Sequence, residues 1–228
     1  MIKKHAVPVK RSYHHGNLRQ ALLEAGVALI GEAGPKGFTM REVARRAGVS
    51  HNAPYRHFRD KDELLEAIAG EGFERLTAAM KKRSAAGATA ADRLRLCGCG
   101  YVDFAMRWPQ HFLVMFDRPP PRLPGQDTAG KNAFQTLLGF IIESQKEGAL
   151  PERDPYPPAL MAWSMVHGIA KLAIGGNLPY TSRQVLDFTQ ATSEALLSGM
   201  GKSKTTLNRD LPKVSAKAKA KKNISGRM

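Results

Sequence analysis

Between Gly48 and Phe58 the chain reads GVSHNAPYRHF and gathers a serine, two histidines, an asparagine, an arginine and a tyrosine around one proline. These side chains are short or planar hydrogen-bonding groups. Ser50, His51 and Asn52 can reach base edges in a nucleic-acid groove, and Ala53 can touch a thymine methyl. Tyr55, His57 and Lys61 can donate to phosphates on either side of it. Thr39 and Arg41, a few residues earlier, stand where the sugar-phosphate backbone or a nearby guanine can be met.

Such a set acts together only if rigid elements present it. Thr39-Met40-Arg41-Glu42 is a capping-box pattern opening a helix, with Met40, Val43, Ala44 and Ala47 on one apolar face. Gly48 closes it, at a position where positive φ is easy. Ser50 then predicts an N-cap for a third helix of about two turns, within which Pro54 falls in the first turn and costs at most one hydrogen bond. Two short helices joined by a turn containing Gly, with Val49 filling the angle, form a helix-turn-helix. Helix pairs of this kind also occur in proteins that never meet DNA, and in those Tyr55 and Phe58 are plain core aromatics.

The remaining periodicity predicts an all-α chain. A first helix covers 17–33, with Asn17 as cap and Gly34-Pro35 as stop. A fourth starts at the Asp60–Glu63 capping pattern and ends near 82, and its N-terminus offers backbone N–H groups to a phosphate, partly opposed by Asp60 and Asp62. Further helices are expected near 90–106, 109–117, 130–147, 157–175 and 182–199, with proline-rich loops at 117–125 and 150–158. No stretch alternates well enough for a sheet.

Charge divides the chain in the same way. The formal charge is +15, and residues 1–66 carry 12 Lys or Arg against 7 Asp or Glu, 67–200 carry 14 against 12, and 201–228 carry 9 against 1. A nucleic-acid-facing front, a nearly neutral body and a solvated basic tail fit this distribution. Charge, composition and motif positions together predict a flexible basic arm (1–12), a helix-turn-helix DNA-binding domain (13–62), a helical body (63–200) and a disordered basic tail (201–228). An anionic membrane surface would attract the same charge, but no apolar run approaches a membrane span and the start lacks a signal-peptide core, so a cytoplasmic chain is expected. Cys97 and Cys99 are too close for an ordinary bridge and read as small, buried, reduced side chains. No nucleophile elbow, phosphate-cradling loop or metal-ligand spacing is present, so no catalysis, metal or cofactor is expected.

Residues 13–60, from YHHGNLRQALLEAGVALIGEAG through FTMREVARRAGVSHNAPYRHFRDKDELL, resemble the N-terminal domain of the TetR (tetracycline-repressor) family of bacterial transcription regulators. The resemblance implies an all-helical homodimer whose N-terminal helices bind a double-stranded, palindromic operator and whose body binds a ligand. It implicates Thr39, Arg41, Ser50, His51, Asn52, Tyr55, His57 and Lys61 in DNA contact. Trp108 to Phe116 and Trp163 to Gly168 look like a body domain of the WHG type, named for its Trp, His and Gly.

Trp108, Phe112, Met115 and Phe116 form an aromatic and methionine stripe that Phe134, Leu138, Met161 and Trp163 can face. Stripes of this kind are core more often than pocket. The resemblance favours a cavity there for a small, mostly apolar effector, with His111 or His167 as polar anchor, although His167 also reads as a hydrogen-bonded structural residue. The last two helices, with wide apolar faces, are the expected dimer interface. A ligand-responsive repressor is the reading that results; an activator, a non-specific architectural DNA binder and an enzyme using Cys97, Cys99, His111 or His167 are its rivals.

Overall fold

The computed structural model describes residues 18–116 and 128–202. The expected cap at Asn17, the basic arm, the 117–125 loop and the basic tail beyond Lys202 lie outside the described residues. Among those described there are eight α-helices, one short 3-10 turn and no strand.

The first 50 described residues build a small head. Helix α1 (Leu18–Ala33) buries Leu22, Leu23, Ala25, Leu29 and Ile30. Helix α2 (Met40–Arg46) opens with the full capping box: the Thr39 hydroxyl accepts from the Glu42 N–H, while the Glu42 carboxylate accepts from the Thr39 N–H at 2.7 Å. The Thr39 hydroxyl also donates to that carboxylate at 2.9 Å, and this bond together with the Thr39 N–H holds the Glu42 carboxyl below its ordinary range. The helix stops because Gly48 turns to φ +71°, which lets the Val49 N–H reach the Ala44 carbonyl at 3.0 Å.

Helix α3 (Lys61–Ser84) starts at an Asp60 cap and runs 24 residues, about 36 Å at 1.5 Å per residue. It belongs to both parts of the chain. Leu64, Leu65 and Ile68 lie in the head's apolar cluster, whereas Leu76 and Met80 lie in the body's.

The body wraps around α4 (Ala90–Arg107), which packs against α3, α6, α7 and α8. Its start repeats the capping-box chemistry with Thr89 and Asp92. Burial on all sides explains its unbroken run of buried residues from Cys97 to Val102. At Gly100 the backbones of α3 and α4 nearly touch: a Cβ there would stand 2.9 Å from the Met80 Cα and 2.7 Å from the Ala79 carbonyl oxygen. Helices α5 (Pro109–Phe116), α6 (Thr128–Lys146), α7 (Tyr156–Ile174) and α8 (Ser182–Lys202) complete the bundle. None of the described helices is long and apolar enough to cross a membrane.

One short helix ties head to body. In α5, Val114 is fully buried in the head's cluster, while Phe112 and Met115 are buried in the body's. Any displacement of α5 is therefore felt on both sides, because packed interiors transmit strain.

Candidate nucleic-acid interface and effector cavity

The stretch from Ser50 to Phe58 is shorter and tighter than the two-turn α-helix expected from its sequence. Only Ala53–Arg56 is helical, as a single 3-10 turn flanked by turn residues. Ser50 does not cap it with its side chain; its carbonyl accepts from the Ala53 N–H at 3.0 Å. Asn52 occupies the cap position and makes no side-chain cap bond, which leaves its amide turned to other work.

Pro54 determines this geometry. Its ring fixes φ and supplies no N–H, so the chain tightens around its carbonyl, which accepts from both His57 N–H (2.9 Å) and Phe58 N–H (3.0 Å). Pro54 and Phe58 are buried, and Phe58 packs in the head's core with the Arg19 guanidinium 5.3 Å from its ring centroid. With those two residues inward, Ser50, His51, Asn52, Tyr55, Arg56 and His57 are all exposed, Tyr55 to 54%. A tyrosine that open lacks the burial expected of a core aromatic. Ala53 is half-buried beside this row, and Thr39 and Arg41 are exposed at the start of α2.

Two assignments change. Lys61 does not point outward: its ammonium donates to the carbonyls of Phe38 (2.7 Å) and Lys36 (3.1 Å) and sits 4.5 Å from the Phe38 ring centroid. It staples α3 to the loop before α2, so its value to a phosphate is reduced. The start of α3 is likewise partly closed, because Asp60 accepts from the Glu63 N–H at 2.9 Å. The bond lowers the Asp60 carboxyl's affinity for protons. Arg56, which residue type alone did not single out, is exposed in the 3-10 turn between Tyr55 and His57. Its position after Tyr55 in a basic, aromatic stretch was the available signal.

In the body, the aromatic stripe is packed core. Phe112, Phe116, Trp163 and His167 stack around Tyr101, with centroid separations from 4.7 Å to 6.5 Å, and Phe134 joins Trp163 at 5.7 Å. Trp108 packs on Phe104 at 5.5 Å, and Leu138 and Met161 pack at the edge of the same cluster. Nδ1 of His167 lies 2.9 Å from the Tyr101 hydroxyl, so this histidine is the hydrogen-bonded structural residue. Tyr101 was invisible in the sequence, where it is one apolar-face residue of α4 among many.

His111 is different. It is buried, neither ring nitrogen has a hydrogen-bond partner, and the nearest carboxylate oxygen, on Glu71, is 4.0 Å away. Burial holds its pKa below the ordinary histidine value, offset in part by Glu71. It abuts an open crevice between α1 and the α3–α5 pair rather than the apolar interior.

The apolar cavity adjoins the aromatic stack: α4, α7 and α8 form most of its wall, and Tyr101 and Trp163 belong to both. Met80, Leu137, Ala162, Val166 and Leu196 line it, and of the ten candidates only Trp163 does. Its atom-free space, counted out to the open mouth, is about 400 Å³. The cavity is apolar and narrow. Cys97 lines it and is buried, and burial pushes its thiol up to about 12. Cys99 is also a buried free thiol.

Comparison with known proteins agrees with this division. Residues 22–68 match the family described as bacterial regulatory proteins, tetR family, and residues 94–196 match the tetracyclin repressor-like C-terminal domain. The HTH-type transcriptional repressor KstR of Mycolicibacterium smegmatis is 37% identical over 76 residues, which is 33% of this chain. The match spans 37% of that repressor's length. A protein of unknown function from Rhodococcus sp. RHA1 is 33% identical with a TM-score of 0.73, over 85% of this chain and all of that one. The fold is also that of AibR solved with isovaleryl coenzyme A and operator DNA (TM-score 0.63, 21% identity, 77% of this chain and 97% of that one). With both its head and its body matched, the chain belongs to the TetR family of bacterial regulatory proteins.

Proposed function

We propose that the protein is a cytoplasmic, homodimeric transcriptional regulator that binds a palindromic operator and releases it when a small apolar effector enters the body. The exposed row Ser50, His51, Asn52, Tyr55, Arg56 and His57, held out by buried Pro54 and Phe58, is the observation that carries this reading. Asn52 and its neighbours read base edges, while Tyr55, Arg56 and His57 take phosphates. The partial match to the repressor KstR supports repression as the sign of the effect.

Dimerisation rests on α7 and α8. Leu160, Ser164 and Leu172 recur every four or eight residues on the outer side of α7, with Leu160 43% and Leu172 46% exposed, and Phe188 is 39% exposed on α8. Such a face calls for a partner. A two-fold pair of these helices makes a four-helix interface and sets the two heads about 34–36 Å apart, one turn of DNA. The WHG character expected of the body is supported by Trp163, His167 and Gly168 lying along α7, with His167 bonded to the buried Tyr101.

An effector acts only through its preference for one of two shapes of the dimer. A thousandfold loss of operator affinity requires about 4 kcal/mol of coupling, which two effector sites can share. Helix α5, rooted in both cores, is the route. The AibR complex with isovaleryl coenzyme A and operator DNA lends support by its fold. Selection of bound duplexes from a random pool at fixed salt tests the proposal: recovery of a palindrome supports it, and equal retention of random DNA would assign the chain to non-specific, charge-driven binding instead.

A further inference from the structure

The cavity between α4, α7 and α8 has a chemically uniform interior. Met80, Met165, Met200, Leu137, Leu197 and Val166 supply hydrocarbon and thioether walls. The polar groups inside are engaged: the Ser193 hydroxyl donates to the Thr189 carbonyl at 2.8 Å, and the Tyr101 hydroxyl faces His167. The Cys97 thiol stays neutral and inert. A guest burying an amide or a charge there would find no unengaged partner, so what enters must be hydrocarbon.

Among the described residues, one charged side chain lines the cavity, Arg95. Its guanidinium is held on one side by Asp92 and meets Glu194 on the other at 3.7 Å. The Glu194 side chain is 66% exposed, so this second contact is loose and screened by water. Another carboxyl or carbonyl oxygen can take its place.

We propose, building on the effector reading above, that the cavity binds a flexible aliphatic acyl chain, its carbonyl oxygens at Arg95 and its methylenes between α4, α7 and α8. The narrow apolar space favours a flexible guest over a broad, stiff one, because Met80, Met165 and Met200 can rearrange around a chain methylene by methylene. Entry must also part the helices. At Gly98 a Cβ would stand only 3.1 Å from Val166 Cγ1 and 3.3 Å from Ser193 Oγ, so α7 and α8 both lie close on α4 there. The same two helices carry the proposed dimer face, and a guest that lifts them from α4 changes the spacing of the heads.

The test follows Trp163 fluorescence in the full-length Trp108→Phe chain without DNA. The probes are hexanoate, octanoate, decanoate, decanol, decyltrimethylammonium and decanoyl coenzyme A. Affinity is expected to rise about fourfold per methylene from hexanoate to decanoate. Decanoate should bind at least tenfold more tightly than decyltrimethylammonium, and Arg95→Gln should erase that preference without changing the affinity for decanol. Comparing decanoate with decanoyl coenzyme A identifies free acid or thioester as the source. If Arg95→Gln fails to fold, Glu194→Gln takes its place and is expected to tighten decanoate severalfold. Absence of chain-length dependence, equal or tighter binding of the cationic probe, or an unchanged decanoate affinity in these variants overturns the proposal. Acyl binding that leaves DNA retention unaltered would uphold this ligand class and defeat the effector reading; release of DNA by other compounds without acyl binding would do the reverse.

Discussion

The Tyr101 hydroxyl and Nδ1 of His167 lie 2.9 Å apart, joining α4 to α7 in the middle of an aromatic stack. Tyr101 is almost completely buried, and burial raises its phenol pKa well above the ordinary value, so it remains a neutral partner. Tyr101→Phe removes the hydroxyl that meets Nδ1 of the half-buried His167 and is expected to cost about 0.5–1.5 kcal/mol. Urea unfolding at pH 7.5 measures it, and the double variant Tyr101→Phe/His167→Phe should recover part of the loss.

His111 makes stability depend on pH. Its folded pKa lies below the ordinary 6.5, so between the two values the unfolded chain binds more protons. The contribution is therefore fully present above about pH 6.5 and is lost as the pH falls through that value, by at most about 1.4 kcal/mol per pH unit for one group. His111→Leu should flatten this part of the profile between pH 7.5 and 5.5 and raise stability at the acid end, since it also removes two unpaired ring nitrogens. Thermal unfolding across that range checks both effects.

The Thr39–Glu42 box holds the start of α2. Thr39→Ala removes the cap and is expected to lower head stability by about 0.5–2 kcal/mol. Hydrogen exchange of the α2 amides should register the loss while those of α4 stay unchanged.

Within the exposed row the roles separate by chemistry. Asn52→Ala is expected to relax preference at particular base pairs by about 1–3 kcal/mol. Tyr55→Ala should weaken binding alike on all sequences, and Arg56→Gln should lower the salt dependence by about one phosphate contact. Binding to the selected operator and to its single-base variants, at several salt concentrations, distinguishes them.

Much of this was legible in the residues themselves. Capping boxes, Gly48 and the apolar periodicity are local, so the helices were read to within about three residues of their ends. The expected two-turn helix failed because Pro54 tightens the chain around its own carbonyl, which moved the cap from Ser50 to Asn52. Lys61 turned inward because two loop carbonyls and the Phe38 ring lie within its reach, a contact between residues 23 and 25 apart. The aromatic stripe of α5 does not border the cavity, because its rings fill their own space. The cavity lies instead where α4 crosses α7 and α8, and helix crossings leave no mark on local sequence.

In the proposed dimer a symmetric pair of heads reads two half-sites. Analytical ultracentrifugation of the full chain, alone and with the duplex recovered by selection, addresses it most directly, with Leu172→Glu as the interface variant. A dimer that binds one palindromic duplex, and a Leu172→Glu monomer that has lost it, is the expected result. A monomeric parent chain that binds every duplex equally would contradict the account.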